Sequence, residues 1–196
     1  MSAQPRTLYS KKDLGKRIAS LGRSISKDYS GKTLDIIVLI ENGFVFAADL
    51  IRQIDCPVIC HFMRSELRDV EMSGYSRREV FFSRPPVLKN RNVLLVDAVL
   101  QTGVTHDFLT KRLLEAKPRS LKIAVLVDKP AERRVDLRAD YFGFVGASKL
   151  LVGYGLAGRQ GLFRNLDFIG TMGHAGSARR ASSAATRRKP QRHKVM

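Results

Sequence analysis

The stretch Val93-Leu94-Leu95-Val96-Asp97-Ala98-Val99-Leu100-Gln101-Thr102-Gly103-Val104-Thr105 decides how the rest of the chain is read. Val93 to Val96 is a continuous apolar run, as expected of a strand buried on both faces. It ends in an acid, Asp97. Asp97 to Thr105 then reads as a loop, and His106 to Ala116 as a helix. A helix start offers unpaired N–H groups and a positive dipole end, which suits a phosphate. Gly103 allows close backbone approach, and Thr102 and Thr105 add hydroxyl donors. On this segment alone two readings stay open: a phosphate cradle, or an ordinary strand-to-helix turn with a threonine cap. His106 is expected to cap the helix or face solvent.

The neighbouring segments repeat the strand–helix rhythm. Upstream, Ser10 and Asp13 precede the apolar series Leu14, Ile18, Leu21, Ile25, whose spacing marks one helical face behind a capping-box variant. Gly31 ends that segment. Leu34 to Ile40 reads as a buried strand, Glu41-Asn42-Gly43 as a break, Phe44 to Ile54 as a helix and Pro57 to Met63 as a second strand. From Arg64 to Pro86 the pattern dissolves into charges, Gly74 and a proline pair, which reads as a long loop with at most a weak hairpin. Downstream, Leu121 to Val127 is a strand, and Tyr141 to Val145 and Leu150 to Val152 are short ones. Such alternation implies an α/β fold with a mostly parallel sheet and helices on both faces. Ligands then bind at the carboxyl ends of the strands, in the loops that begin at Glu41, Asp97 and Asp128.

Composition narrows the classes. The chain has 196 residues, 35 Lys+Arg against 18 Asp+Glu, and a net charge of +17. Apolar runs such as Ile36 to Ile40 are far too short to span a bilayer, and Met1 to Lys12 has no apolar core of a secretory signal, so a cytoplasmic protein without membrane contact is expected. Two cysteines, Cys56 and Cys60, make no disulfide framework. With His61 they supply three possible metal ligands and no nearby fourth, so a strand role is expected. From Thr171 to Met196 there are seven Arg/Lys and no acid, in a segment rich in Ala, Ser and Gly; it is expected to be disordered. Without it the body still carries +10. Such a surface attracts nucleic acid, anionic lipid or phosphorylated small molecules, although a solvated tail with no partner fits equally well.

The turn from Asp97 to Thr105 resembles the ribose-phosphate motif of type I phosphoribosyltransferases. Three further stretches are similar to one branch, the hypoxanthine-guanine phosphoribosyltransferases. Leu39-Ile40-Glu41-Asn42-Gly43-Phe44 resembles the pyrophosphate loop, Val127-Asp128-Lys129-Pro130 the strand end with the purine-contacting lysine, and Leu151-Val152-Gly153-Tyr154-Gly155-Leu156 with Phe163-Arg164-Asn165-Leu166 the hood. The resemblance runs from about Leu8 to Gly170, giving one domain over 1–170, with a hood from both ends of the chain, and a basic tail over 171–196. It implies transfer of hypoxanthine or guanine to phosphoribosyl pyrophosphate, with Mg²⁺, in a homodimer or homotetramer. Asp97 and Gln101 would be catalytic, and Asp97 would also organise the metal. Gln101, Thr102, Gly103, Val104 and Thr105 would hold the 5′-phosphate. Lys129, Leu150 and Leu151 would meet the purine, and Glu41, Asn42, Gly43 and Arg164 the pyrophosphate.

The pattern departs from the family at chemically important positions. The second acid is Ala98, the general-base aspartate is Gln101, the metal-binding aspartate after the Gly-Tyr-Gly-Leu run is Ala157, and the stacking aromatic is Leu150. An amide has no proton-accepting lone pair of useful basicity, and losing a general base costs roughly two to four decades in rate. Two functions are therefore weighed: a purine salvage transferase of weakened activity, and a former transferase that binds nucleotide or nucleic acid for regulation. Gly153-x-Gly155-x-x-Gly158 matches a dinucleotide fingerprint but lacks the helix that should follow it, and is expected to be hood loop.

Overall fold

The computed structural model describes residues 4–72, 75–82, 86–146 and 150–172. Its centre is a five-stranded, all-parallel sheet in the order β3-β2-β6-β7-β8. The strands are β2 (Leu34–Leu39), β3 (Val58–Met63), β6 (Asn92–Leu100), β7 (Ser120–Asp128) and β8 (Tyr141–Val145). Helices α1 (Lys11–Asp28) and α2 (Ile40–Ile51) cover one face, where Leu14, Ile18, Ile25, Phe46 and Leu50 pack on Ile36, Val38, Leu94 and Val96. Helix α3 (Val104–Leu114) covers the other, with Leu109 and Leu113 against Ile37, Leu95 and Val125. Every residue of β2 is buried, as its continuous apolar run requires. Ser10 and Asp13 form the reciprocal capping box that their spacing implies.

A second, antiparallel sheet forms the hood in the order β1-β10-β9, from β1 (Arg6–Tyr9), β9 (Leu151–Val152) and β10 (Ile169–Thr171). Tyr9 stacks on Phe144 of β8 at 4.0 Å between ring centres, which fixes the hood to the edge of the main sheet. The first and last described segments thus pair with each other. Thr171 belongs to this pairing; the expected disorder of the tail concerns residues that, from 173 onward, lie outside the described ones.

Four expectations are corrected. Glu41-Asn42-Gly43 is not a break: α2 starts at Ile40, directly after β2. Gly43 makes this possible, because a Cβ there would come within 3.2 Å of Asp97 Cα. Asp97 to Leu100 is not loop but the last part of β6, still in register with β7. There the burial changes from continuous to alternating, so Ala98 and Leu100 stay inside while Asp97 and Val99 face the carboxyl end of the sheet. The charged stretch after Arg64 is a ladder, β4 (Ser65–Met72) paired antiparallel with β5 (Tyr75–Phe82). His106 neither caps nor faces solvent; it is buried in the first turn of α3.

Candidate functional site

The carboxyl ends of β2 and β6 meet at a cavity of ≈ 230 Å³, lined by Glu41, Asn42, Asp97, Gln101, Thr102, Gly103, Thr105 and His106, among others. Its floor is the turn between β6 and α3. Gly103 adopts φ +80°, and a Cβ there would meet Val135 Cγ2 at 2.8 Å and Arg133 Cδ at 2.9 Å, so both the conformation and the space require glycine. No side chain caps α3. The N–H groups of its first turn, from Val104 onward, are therefore directed at the cavity mouth without a capping partner. That is an anion site by construction. The segment after β7 braces the turn from behind: the Arg134 amide donates to Thr102 O at 2.9 Å, and Arg133 donates to Gln101 O at 2.9 Å while pairing with Asp128.

Asp97 lies at the centre. Its Oδ1 accepts from the Ala98 amide at 2.7 Å, and its Oδ2 lies 3.0 Å from His106 Nε2. Both side chains are largely buried. Each carboxylate oxygen keeps a second lone pair for a hydroxyl donor. The lining offers a Mg²⁺ ion two carboxylates, Asp97 and Glu41. The ion favours an octahedron of oxygens in which one or two carboxylates are completed by waters and substrate phosphates. Ala98 and Ala157 offer methyl groups, and no group of three or more His, Cys, Asp or Glu able to hold a metal occurs among the described residues, so these acids would hold Mg²⁺ only together with a substrate's phosphates.

Lys129 reaches the same region from the end of β7 and is buried. Its amide donates to Leu100 O at 2.9 Å, tying it to β6, and its stem lies where a side chain at Gly146 would be. Leu150 is exposed at the hood's edge, and the Leu151 side chain lies in the core of β9. Arg164 Nη1 donates to Glu41 O, to Asn42 Oδ1 at 3.1 Å and to Gly155 O at 2.5 Å. It thereby joins the hood to the first turn of α2. Glu41 is also within 3.5 Å of Arg64. Beside them, burial and the hydrogen bond to Asp49 push the Tyr154 hydroxyl's ionisation well above its ordinary range. Gly153, Tyr154 and Gly155 have positive φ in succession, and a bridge joins Gly153 to Leu156, so the apparent dinucleotide fingerprint is a hood turn.

The residues singled out from the sequence therefore divide into two groups. Asp97, Gln101, Thr102, Gly103, Thr105, Glu41 and Asn42 line one cavity. Arg164 meets Glu41 and Asn42 of that lining, and Lys129 reaches it through Glu132 and Gln101, whereas Val104, Leu150 and Leu151 are not among the lining residues. Two residues escaped the sequence: His106, whose placement beside Asp97 depends on the exact start of α3, and Glu132, in the short 3₁₀ turn Pro130–Glu132. Glu132 Oε2 accepts from Gln101 Nε2 at 2.5 Å, and its Oε1 lies 3.4 Å from Lys129 Nζ. The lysine–proline pair announces a turn after β7, but nothing in the sequence aims Glu132 at a loop thirty residues away. His61 Nε2 lies 2.8 Å from Asp35 Oδ1 on the far edge of the sheet, so it serves that buried acid rather than a metal.

A parallel sheet with an anion turn at its carboxyl end, beside a small antiparallel hood, defines an α/β protein built to hold a phosphorylated ligand. Residues 6–156 match the family model of the phosphoribosyl transferase domain. The hypoxanthine-guanine phosphoribosyltransferase of Staphylococcus aureus (strain Mu50) is 32% identical over 165 residues, covering 84% of this chain and 92% of its own; that of Staphylococcus epidermidis gives the same figures. A crystal structure of a hypoxanthine-guanine phosphoribosyltransferase from Bacillus anthracis superposes with a TM-score of 0.75 at 31% identity, over 88% of this chain and 99% of that one. The chain belongs to the hypoxanthine-guanine phosphoribosyltransferase family.

Proposed function

We propose that the protein is a purine salvage enzyme, transferring hypoxanthine or guanine to 5-phosphoribosyl 1-pyrophosphate and releasing pyrophosphate. The observation that carries this reading is the uncapped start of α3 opening on Asp97 in one cavity. The 5′-phosphate sits on the main-chain amides and hydroxyls from Gln101 to Thr105. Asp97 accepts hydrogen bonds from the ribose hydroxyls. Lys129 donates to the exocyclic oxygen of the base, which favours 6-oxopurines over a 6-aminopurine, whose amino group is itself a donor. Pyrophosphate occupies the corner between the first turn of α2 and Arg164. Mg²⁺ enters as the counter-ion of the phosphoribosyl pyrophosphate rather than as a resident of the protein.

The reading extends to a cytoplasmic homodimer or homotetramer, and to weak, salt-dependent binding of nucleic acid by the tail. No helix among the described residues is long and apolar enough to cross a membrane. The direct test is to incubate the protein with phosphoribosyl pyrophosphate, Mg²⁺ and hypoxanthine, guanine, xanthine or uracil, and to separate the products. Formation of IMP or GMP is expected. Retained binding of IMP with no turnover on any base would reject the enzyme in favour of a nucleotide-binding protein.

A further inference from the structure

The transfer leaves a proton to be placed. When purine N9 attacks C1′ of the ribose, the N9–C1′ bond forms, the C1′–O bond breaks, and pyrophosphate leaves with that bond's electron pair. The ring proton, carried on N7 of the incoming base, must then go to an acceptor. Neither nearest side chain of the phosphate turn is the acceptor: Gln101 is an amide, and Asp97, beside the Ala98 amide and His106, gives its remaining lone pairs to the ribose hydroxyls in the reading above.

We propose that the Glu132 carboxylate is this acceptor, presented by the 3₁₀ turn Pro130–Glu132 between Lys129 and Gln101. The inference rests on the purine-transfer reading above. Its two oxygens are divided between the residues that would bracket the base, Oε2 at 2.5 Å from Gln101 Nε2 and Oε1 at 3.4 Å from Lys129 Nζ. In a 6-oxopurine, O6 and N7 share one edge. A lysine that donates to O6 therefore has N7 beside it, and a carboxylate about 3.4 Å from that lysine's nitrogen meets the N7 proton. The pair Lys129–Glu132 thus presents donor and acceptor in the order of the substrate's acceptor and donor. Burial also favours the arrangement. An ammonium as enclosed as that of Lys129 is held only with a partner, and Glu132 lies within reach to serve as one. Gln101 then positions the carboxylate by its amide instead of taking the proton itself.

The test compares Glu132→Gln with the native enzyme, following kcat and KM for hypoxanthine from pH 5 to 9. Glutamine keeps the size and an acceptor for Gln101 but takes up no proton. A fall in kcat of about 10²–10³-fold is expected, with KM changed less than about threefold and the acidic limb of the profile erased. Adding Gln101→Asp to Glu132→Gln restores at least about tenfold of the loss. A kcat within about threefold of native, or a loss of kcat with the acidic limb intact, overturns the proposal. Should Glu132→Gln fail to fold, Glu132→Asp decides: a lowered kcat with the limb kept supports the role, and a lost limb removes it. If the native protein turns over no purine at all, the proposed function falls and this inference with it. Native turnover unaffected by Glu132→Gln sinks the inference alone.

Discussion

At the scale of single residues, the phosphate turn depends on one backbone conformation. Gly103 has φ +80° with Val135 and Arg133 packed where a Cβ would lie. Gly103→Ala costs about 1–2 kcal/mol in the left-handed conformation alone, and any relief tilts the amides of α3 away from the cavity. IMP binding, measured by calorimetry, should weaken by roughly tenfold or more; unchanged affinity would mean that the turn is not the phosphate cradle. Much of this site was legible in the sequence, because Thr102, Gly103 and Thr105 act through local geometry within one turn. Lys129 was legible only through the resemblance of Val127-Asp128-Lys129-Pro130 to the family's strand end. Glu132 was not, since it meets Gln101 only when distant segments pack, nor was His106, whose place beside Asp97 depends on where α3 starts. The acids missing at Ala98, Gln101 and Ala157 were plain only against the family's pattern. That a carboxylate returns to Gln101 from another strand end was not.

At the scale of elements, α1 carries two glycines in opposite circumstances. A Cβ at Gly15 meets nothing within 4 Å, whereas one at Gly22 would lie 2.3 Å from the main-chain oxygen of Gln53, just beyond α2. Gly15→Ala should therefore stabilise the fold by about 0.5–1 kcal/mol through helix propensity. Gly22→Ala should destabilise it by about 1–3 kcal/mol by forcing α1 off α2. Thermal unfolding of the two variants gives shifts of opposite sign if the helices pack as described, and of the same sign if they do not. At its other end α1 is tied to the sheet by Asp28, which accepts from Tyr141 at 2.5 Å and from Lys122 at 2.9 Å. The tyrosine and lysine hydrogen bonds hold the Asp28 carboxyl below its ordinary range. Its contribution is therefore present above the unfolded value of about 4 and is lost as the pH falls through the folded one. Asp28→Asn should lower the urea midpoint at pH 7, and the difference from native should narrow as the pH falls below about 4; a constant difference would remove the linkage. The strong elements were legible in the sequence: the capping box of α1 and the apolar run of β2 need no tertiary help. The start of α2 was hidden, because Asn42-Gly43 locally favours a turn and only the close approach to Asp97 lets the helix begin there. Strands β1 and β10 were hidden too, being short and paired with each other from opposite ends of the chain.

At the scale of the whole molecule, the net charge of +17 is shared between the body and a tail of seven basic residues. Removal of residues 173–196 should leave transferase kinetics within about twofold and reduce affinity for single-stranded nucleic acid. The slope of log K against log salt should shrink by up to about 5, if all seven charges contact phosphates. Filter binding at 50 and 200 mM salt checks this, and identical slopes with and without the tail would assign it no polyanion role. Arg164 carries a different consequence for the assembled molecule. One nitrogen of its guanidinium already serves oxygens of Glu41, Asn42 and Gly155. On the proposed reading, pyrophosphate arriving in that corner finds this nitrogen already satisfied by protein oxygens, so contact with it would be an exchange of partners rather than a fresh bond. Departure of the anion would be eased by the same exchange, since that nitrogen has a home to return to.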